Sequence, residues 1–133
     1  MMEHTDIQRI NSNQVMSAVT IHNQTVYVSG QVPDSTRQDI SGQTQEVLTK
    51  IDQLLKLAGT DKSRLLSAQL FVKNLEDFQT VNQIWIHWLQ GQGTPARATI
   101  QADLVNPDWL IEIAVIAAQA LVVLIFISPN SIL

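Results

Sequence analysis

The sequence predicts a single α+β domain with two helices on one face of a mixed sheet. Three observations lead there. The chain has 133 residues, enough for one core and hardly two. Two segments carry apolar residues at helical spacing. The segments between them alternate, or run apolar over strand length, and are separated by Gly, Pro and Asn turns. The resulting order is ββ-α-β-α-ββ.

Residues 16–21 alternate loosely, His22-Asn23-Gln24 reads as a turn, and Thr25-Val26-Tyr27-Val28-Ser29 reads as a second strand ending at Gly30. The two are expected to form a hairpin, followed by a loop through Pro33 and Asp34. Ile40, Thr44, Val47, Leu48, Ile51, Leu54, Leu55 and Ala58 then mark the inner stripe of a first helix. Gln43, Gln45, Glu46, Lys50, Asp52 and Lys56 fall on its outer face, and Gly59 stands where a left-handed residue ends a helix. Segment 65–73, LLSAQLFVK, is apolar on both faces and predicts a central strand covered on both sides. Asn74 is placed to cap a second helix with Glu76 and Asp77 in its first turn. Leu75, Phe78, Val81, Trp85, Trp88 and Leu89 form its inner stripe, and Gly91 and Gly93 end it. Residues 96–103 and 110–118 read as strands joined by a loop around Asn106-Pro107. Two helices cover one sheet face, and this short chain has no third layer for the other. Self-association through that face is therefore expected.

The domain is expected to span 1–118, with 119–133 as an apolar extension. From 113 to 127 the chain carries one polar residue, Gln119. Fifteen residues fall short of the roughly 20 of a spanning helix, and the aliphatic run 121–127 reads as a buried strand stopped by Pro129-Asn130. The N-terminus has no signal-peptide pattern. A cytoplasmic protein with no membrane partner is expected.

Composition removes several chemistries. There is no cysteine, which excludes a disulfide scaffold, a thiolate metal site and a cysteine nucleophile. The net charge of −4 comes with no basic stripe, so no nucleic-acid partner is expected. His4, His22 and His87 are widely spaced and match no metal-ligand pattern, so no metal is expected. Ser29 precedes Gly30 without a nucleophile-elbow motif and reads as a small strand-end residue.

Two positions stand out. Arg97, in Thr94-Pro95-Ala96-Arg97-Ala98-Thr99-Ile100, is an arginine among small and apolar residues directly after a Gly/Pro turn. Its guanidinium cannot be neutralised and needs a partner, and its fork of donors fits a carboxylate. Glu112 is a carboxylate between two isoleucines in another strand. A structural ion pair between the two is one reading. If their strands formed a hairpin about Asn106-Pro107, Glu112 would face Gln101, about 13 Å from Arg97 along the strand, too far for direct pairing. Either the strands are not neighbours or the partners come from elsewhere, as in a pocket between subunits.

Four motifs, in order over residues 5–118, resemble the Rid family of reactive intermediate deaminases, also called the YjgF family. They are Ser29-Gly30-Gln31; Phe71-Val72-Lys73-Asn74-Leu75-Glu76-Asp77-Phe78 with Val81-Asn82; Pro95-Ala96-Arg97; and Ile111-Glu112-Ile113. The stretch 97–102 with Asn106-Pro107 is closer to the YoaB-type branch. The resemblance implies a chorismate-mutase-like fold and a homotrimer with clefts between subunits. It also implies hydrolysis of 2-imino or enamine acids to 2-keto acids and ammonia without a cofactor. Residue by residue, Arg97 matches the arginine that grips the substrate carboxylate and Glu112 the glutamate that orients or activates water. Ser29, Gly30 and Gln31 match the strand end lining the cleft, and Asn82 a recurrent asparagine. Thr99 stands where many members have cysteine, and Met16 where the founding branch has a cleft tyrosine. Loss of that hydroxyl favours the alternative of a non-catalytic trimer that binds small carboxylates such as 2-keto acids. A structural or partner-binding role using the apolar extension is a third reading.

Overall fold

The computed structural model describes residues 6–120. Eight principal elements follow one another: β1 (Gln8–Ser12), β2 (Ser17–His22), β3 (Thr25–Gln31), α1 (Ile40–Leu57), β4 (Leu65–Val72), α2 (Phe78–Leu89), β5 (Ala96–Gln101) and β6 (Ile111–Ala118). They form one six-stranded mixed sheet in the order β1-β2-β3-β6-β4-β5. β4 and β5 are parallel, joined by α2, and the other neighbouring pairs are antiparallel. β6 lies between β3 and β4, which run parallel to each other with α1 as their crossover. The predicted two helices on a mixed sheet are present, and β5 and β6 are not hairpin neighbours.

α1 begins where the sequence places it. Asp39 caps it by accepting from the Gly42 N–H at 2.9 Å, and Gly59, with φ +75°, follows the Ala58 cap. Val47, Leu48, Ile51 and Leu55 are fully or almost fully buried against Val26 and Val28 of β3, and Ile113 and Val115 of β6. Each such side chain contributes about 1.5–3 kcal/mol relative to exposure.

Several expectations need correction. β1, a polar strand at the sheet edge, has no apolar alternation to announce it. His22 closes β2, and the turn is Asn23-Gln24, both with positive φ. β3 continues through Gly30 to Gln31. Asn74 does not cap α2 with its side chain; a short 3₁₀ turn over Leu75–Asp77 intervenes, and α2 starts at Phe78. Leu75 is mostly exposed and Phe78 partly so, leaving Val81, Trp85 and Leu89 as the buried stripe. α2 ends at Gln90, itself left-handed at φ +53°. β4 is a central strand but is covered on one side: Leu65, Ala68, Leu70 and Val72 are buried under the helices, while Leu66 is half exposed on the other face. Tyr27 and Ile100 also stand on that open face.

Gln43 is the clearest reversal. Assigned to the outer face, it is fully buried. Its Oε1 accepts from the Leu110 N–H at 2.8 Å, and its Nε2 donates to the carbonyls of Asp108 and Gln38. The amide thus fastens the first turn of α1 to the loop that leads into Glu112. The expected strand over 121–127 lies outside the described residues. Among the described residues, no helix is long and apolar enough to cross a membrane.

Candidate active site

Arg97 enters from β5, the sheet edge. It pairs with Ala68 of β4, so both side chains point to the helix-covered face. There its guanidinium carbon lies 5.6 Å from the Trp85 ring centroid and 6.0 Å from that of Phe78. Nη2 donates to Asn82 Oδ1. All three contacts come from one face of α2, at positions 78, 82 and 85, the spacing that aligns side chains on a helix. The rings supply cation–π attraction and an apolar bed. Burial pulls the Arg97 pKa down from its ordinary value, and the group stays charged because its reference value is so high. With Nη2 committed to Asn82, the remaining N–H groups have no described hydrogen-bond partner and keep the fork needed for a carboxylate. Thr99 stands two residues further on the same face, and its buried Oγ1 has no described partner.

Glu112 enters from β6 and pairs with Phe71 of β4. Its neighbours Ile111 and Ile113 point into the core, so Glu112 points to the open face. Beside it, β3 carries an irregularity: Val28 pairs with Val115 but Gln31 pairs with Ile113, three steps against two. This bulge brings Gly30 alongside the carboxyl group. A Cβ on Gly30 would fall 2.8 Å from Glu112 Cδ and collide with Oε2. Glycine is needed here for proximity rather than for a left-handed backbone. Gln31 Nε2 donates to the Ser29 carbonyl at 3.0 Å and to Ser29 Oγ at 3.3 Å, which closes the bulge on itself. The Glu112 carboxylate has no described donor, and desolvation raises its pKa above the ordinary value of 4.5. Met16, about half exposed, precedes β2 at the same end of the sheet as Gly30 and Gln31.

The structure therefore gathers the expected site residues into two groups. Ser29, Gly30, Gln31 and Glu112 share one end of β3 and β6, with Met16 near that end; Arg97, Asn82 and Thr99 share β5 and α2. It does not join the groups. Across β4, Arg97 is level with Ala68 and Glu112 with Phe71. That is about 10 Å along the strands and about 10 Å across them, and on opposite sheet faces. The Arg97–Glu112 ion pair is excluded within one chain. Phe78 and Trp85 were legible as an apolar stripe, but their role as the bed of Arg97 was not. Their spacing to Asn82 carried that signal. Among the described residues, no cluster of three His, Asp or Glu side chains converges as a metal site would require.

A six-stranded mixed sheet with two helices on one face, an aromatic-bedded arginine at its edge and a glutamate packed on a strand-end glycine define the class to which the sequence motifs pointed. The chain belongs to the Rid (YjgF) family: the family model described as endoribonuclease L-PSP matches residues 6–119. A RutC family protein of Haemophilus influenzae is 44% identical over 112 residues, covering 84% of this chain and 97% of the relative. RutC family protein YoaB of Escherichia coli is 38% identical with the same coverage. A relative from Acinetobacter baylyi named 3-aminoacrylate deaminase RutC is 34% identical, over 69% of this chain and 77% of its own length. The crystal structure of a YjgF-family protein from Neisseria meningitidis superposes with a TM-score of 0.85 at 30% identity, covering 90% of this chain and all of that one.

Proposed function

We propose that the protein hydrolyses 2-imino or enamine acids to 2-keto acids and ammonia, in clefts between the subunits of a homotrimer. The observation that carries this reading is the split site. A desolvated arginine with a free fork and a desolvated carboxylate without a partner face opposite sides of one sheet. Each is an incomplete half that a second subunit completes. The open sheet face, with Tyr27, Leu66 and Ile100 exposed, supports burial against neighbouring copies. The name of the Acinetobacter relative supports an enamine acid as the substrate class.

In this mechanism Arg97 of one subunit holds the substrate carboxylate bidentately and places the C=N carbon next to Glu112 of a neighbour. An iminium carbon is already electrophilic, so placing substrate and water supplies most of the acceleration. Glu112 accepts a proton from the attacking water as the new C–O bond forms, giving a carbinolamine. It gives that proton to nitrogen as the C–N bond breaks and takes the carbinolamine hydroxyl proton as the C=O bond forms, releasing ammonia and the keto acid; passing that proton on to ammonia or solvent restores the carboxylate. A carboxylate whose pKa is raised by desolvation suits a group that must take and give a proton within one cycle. The backbone around Gly30 lies where it can face the tetrahedral centre. No step needs a metal or organic cofactor.

The test generates a 2-imino acid in situ with an amino-acid oxidase and traps the remainder with semicarbazide. Wild type should shorten the imine lifetime and release ammonia, and Arg97→Ala should not. The second reading, a trimer that only binds small carboxylates, rests on Met16, which offers no hydroxyl to the cleft. It predicts thermal stabilisation by 2-keto acids, lost in Arg97→Ala, with no effect of wild type on imine lifetime.

A further inference from the structure

Glu46 and Lys50 lie one turn apart on the flank of α1 that the sequence assigns to solvent, yet each side chain is only 23% exposed. Both turn to the same stretch of chain, the loop of residues 32–38 that leaves the β3 bulge. The Glu46 carboxylate accepts from three donors there. The Asp34 N–H bonds Oε2, while the Ser35 N–H at 3.3 Å and Gln38 Nε2 at 2.7 Å bond Oε1. Lys50 Nζ donates to the Val32 carbonyl at 2.8 Å and to Asp34 Oδ1 at 2.7 Å. The Asp34 N–H, foremost among these contacts, holds the Glu46 carboxyl below the ordinary carboxylate range and keeps it ionised.

A helical ion pair does not account for this arrangement. Such pairs contribute little, and Glu46 and Lys50 are 4.0 Å apart while each has closer partners in the loop. Both charges go to backbone: two N–H groups and one carbonyl within residues 32–35. Hydrogen bonds with a charged partner are the strong class. Their place in the chain gives them a purpose. Val32 follows Gln31, and Gln31 follows the Gly30 that packs on Glu112. A bulge interrupts the ladder that would otherwise hold its strand. Here β6 holds it through the Val28–Val115 and Gln31–Ile113 pairs, and α1 holds the chain immediately beyond.

We propose that Glu46, with Lys50, is a positioning residue for the Glu112 half-site: it clamps the loop leaving the β3 bulge and so holds Gly30 against the Glu112 carboxyl. Its effect on rate rests on the deaminase reading, and the geometry it claims does not. Titration of the Glu112 carboxyl, followed by carbon-detected NMR in the full chain, reads that geometry. Release of Gly30 lets water reach the carboxylate, so the midpoint should fall towards the ordinary value in Glu46→Ala. Lys50→Met should lower it too. The two variants remove charges of opposite sign, so a direct field effect would move their midpoints in opposite directions. A midpoint that holds or rises in either variant overturns the proposal, whatever the melting temperature does. Glu46→Gln keeps one acceptor oxygen; its midpoint should lie between those of wild type and Glu46→Ala, and it replaces Glu46→Ala if that chain does not fold. With a 2-imino acid as substrate, kcat of Glu46→Ala should fall roughly tenfold, with KM within about twofold because Arg97 is untouched. An unchanged kcat beside an active wild type also overturns the proposal. An inactive wild type sinks the deaminase reading alone, and the titration then decides.

Discussion

The two halves of the site are built in opposite ways. Arg97 sits on an edge strand, where little of the sheet supports it, and α2 supplies the support: two rings and an asparagine from a single helix face. Glu112 sits on a central strand, flanked by Ile111 and Ile113 in the core and opposite Phe71 of β4, and its carboxyl lies against Gly30 in the β3 bulge. The arginine is held by side chains and the glutamate by the absence of one. The first half should therefore fail through lost contacts, and the second through added atoms.

The largest expected effect is on the arginine half. Under the proposed mechanism Arg97→Ala removes two hydrogen bonds to the substrate carboxylate, each about 1.5–3 kcal/mol, so kcat/KM should fall by about 10²–10⁴ while the fold persists. Arg97→Lys should recover little, since a point charge does not reproduce the fork. An unfolded Arg97→Ala chain, seen by circular dichroism, would instead assign Arg97 to stability. Glu112→Gln should cost about 10²–10⁴ in kcat with KM little changed; an equal loss confined to KM would remove it from proton transfer.

Gly30→Ala comes next. The added methyl pushes the Glu112 carboxyl aside, and a misplacement of about 1 Å costs roughly 100-fold in rate. The displaced group is the end of a flexible side chain, so the melting temperature should hardly move. A large drop in melting temperature with kcat intact would contradict this. A stability effect is expected instead at Gln43. Gln43→Ala strands the Leu110 N–H and the Asp108 carbonyl, at a cost of about 1–3 kcal/mol by denaturant unfolding.

The smallest effect is on pH dependence. Desolvation raises the Glu112 pKa in the folded state, so folding favours its protonated form. That contribution is complete below the unfolded pKa and is lost as pH rises through the folded one. Glu112→Gln should therefore gain stability relative to wild type as pH climbs from 4 towards 7, and parallel curves would refute the sign. The same raised value should place the acid limb of kcat/KM above the usual carboxylate range.

The sequence made α1 legible because its apolar positions recur over five turns and Gly59 marks its end, while the Asp39 cap came only with the structure. It made Arg97 and Glu112 legible because a charge among small apolar residues is costly without a purpose. Three things stayed hidden for physical reasons. β1 is a polar edge strand whose pairing with β2 gives no apolar period. Gln43 looks like a surface residue until the loop at 108–110 arrives, 65 residues later, to satisfy its amide. The insertion of β6 between β3 and β4 is a non-local pairing that no window of sequence contains. That insertion is what puts Glu112 and Arg97 on opposite faces and two strands apart.

The most direct test of the shared site mixes two inactive chains. Arg97→Ala and Glu112→Gln subunits, dissociated and reassembled in equal amounts, should recover roughly a quarter of wild-type imine hydrolysis, because random assortment unites an intact Arg97 with a neighbour's intact Glu112 at that frequency. Mixtures that stay as inactive as either parent, with exchange of subunits shown by mass, would contradict a site shared between chains.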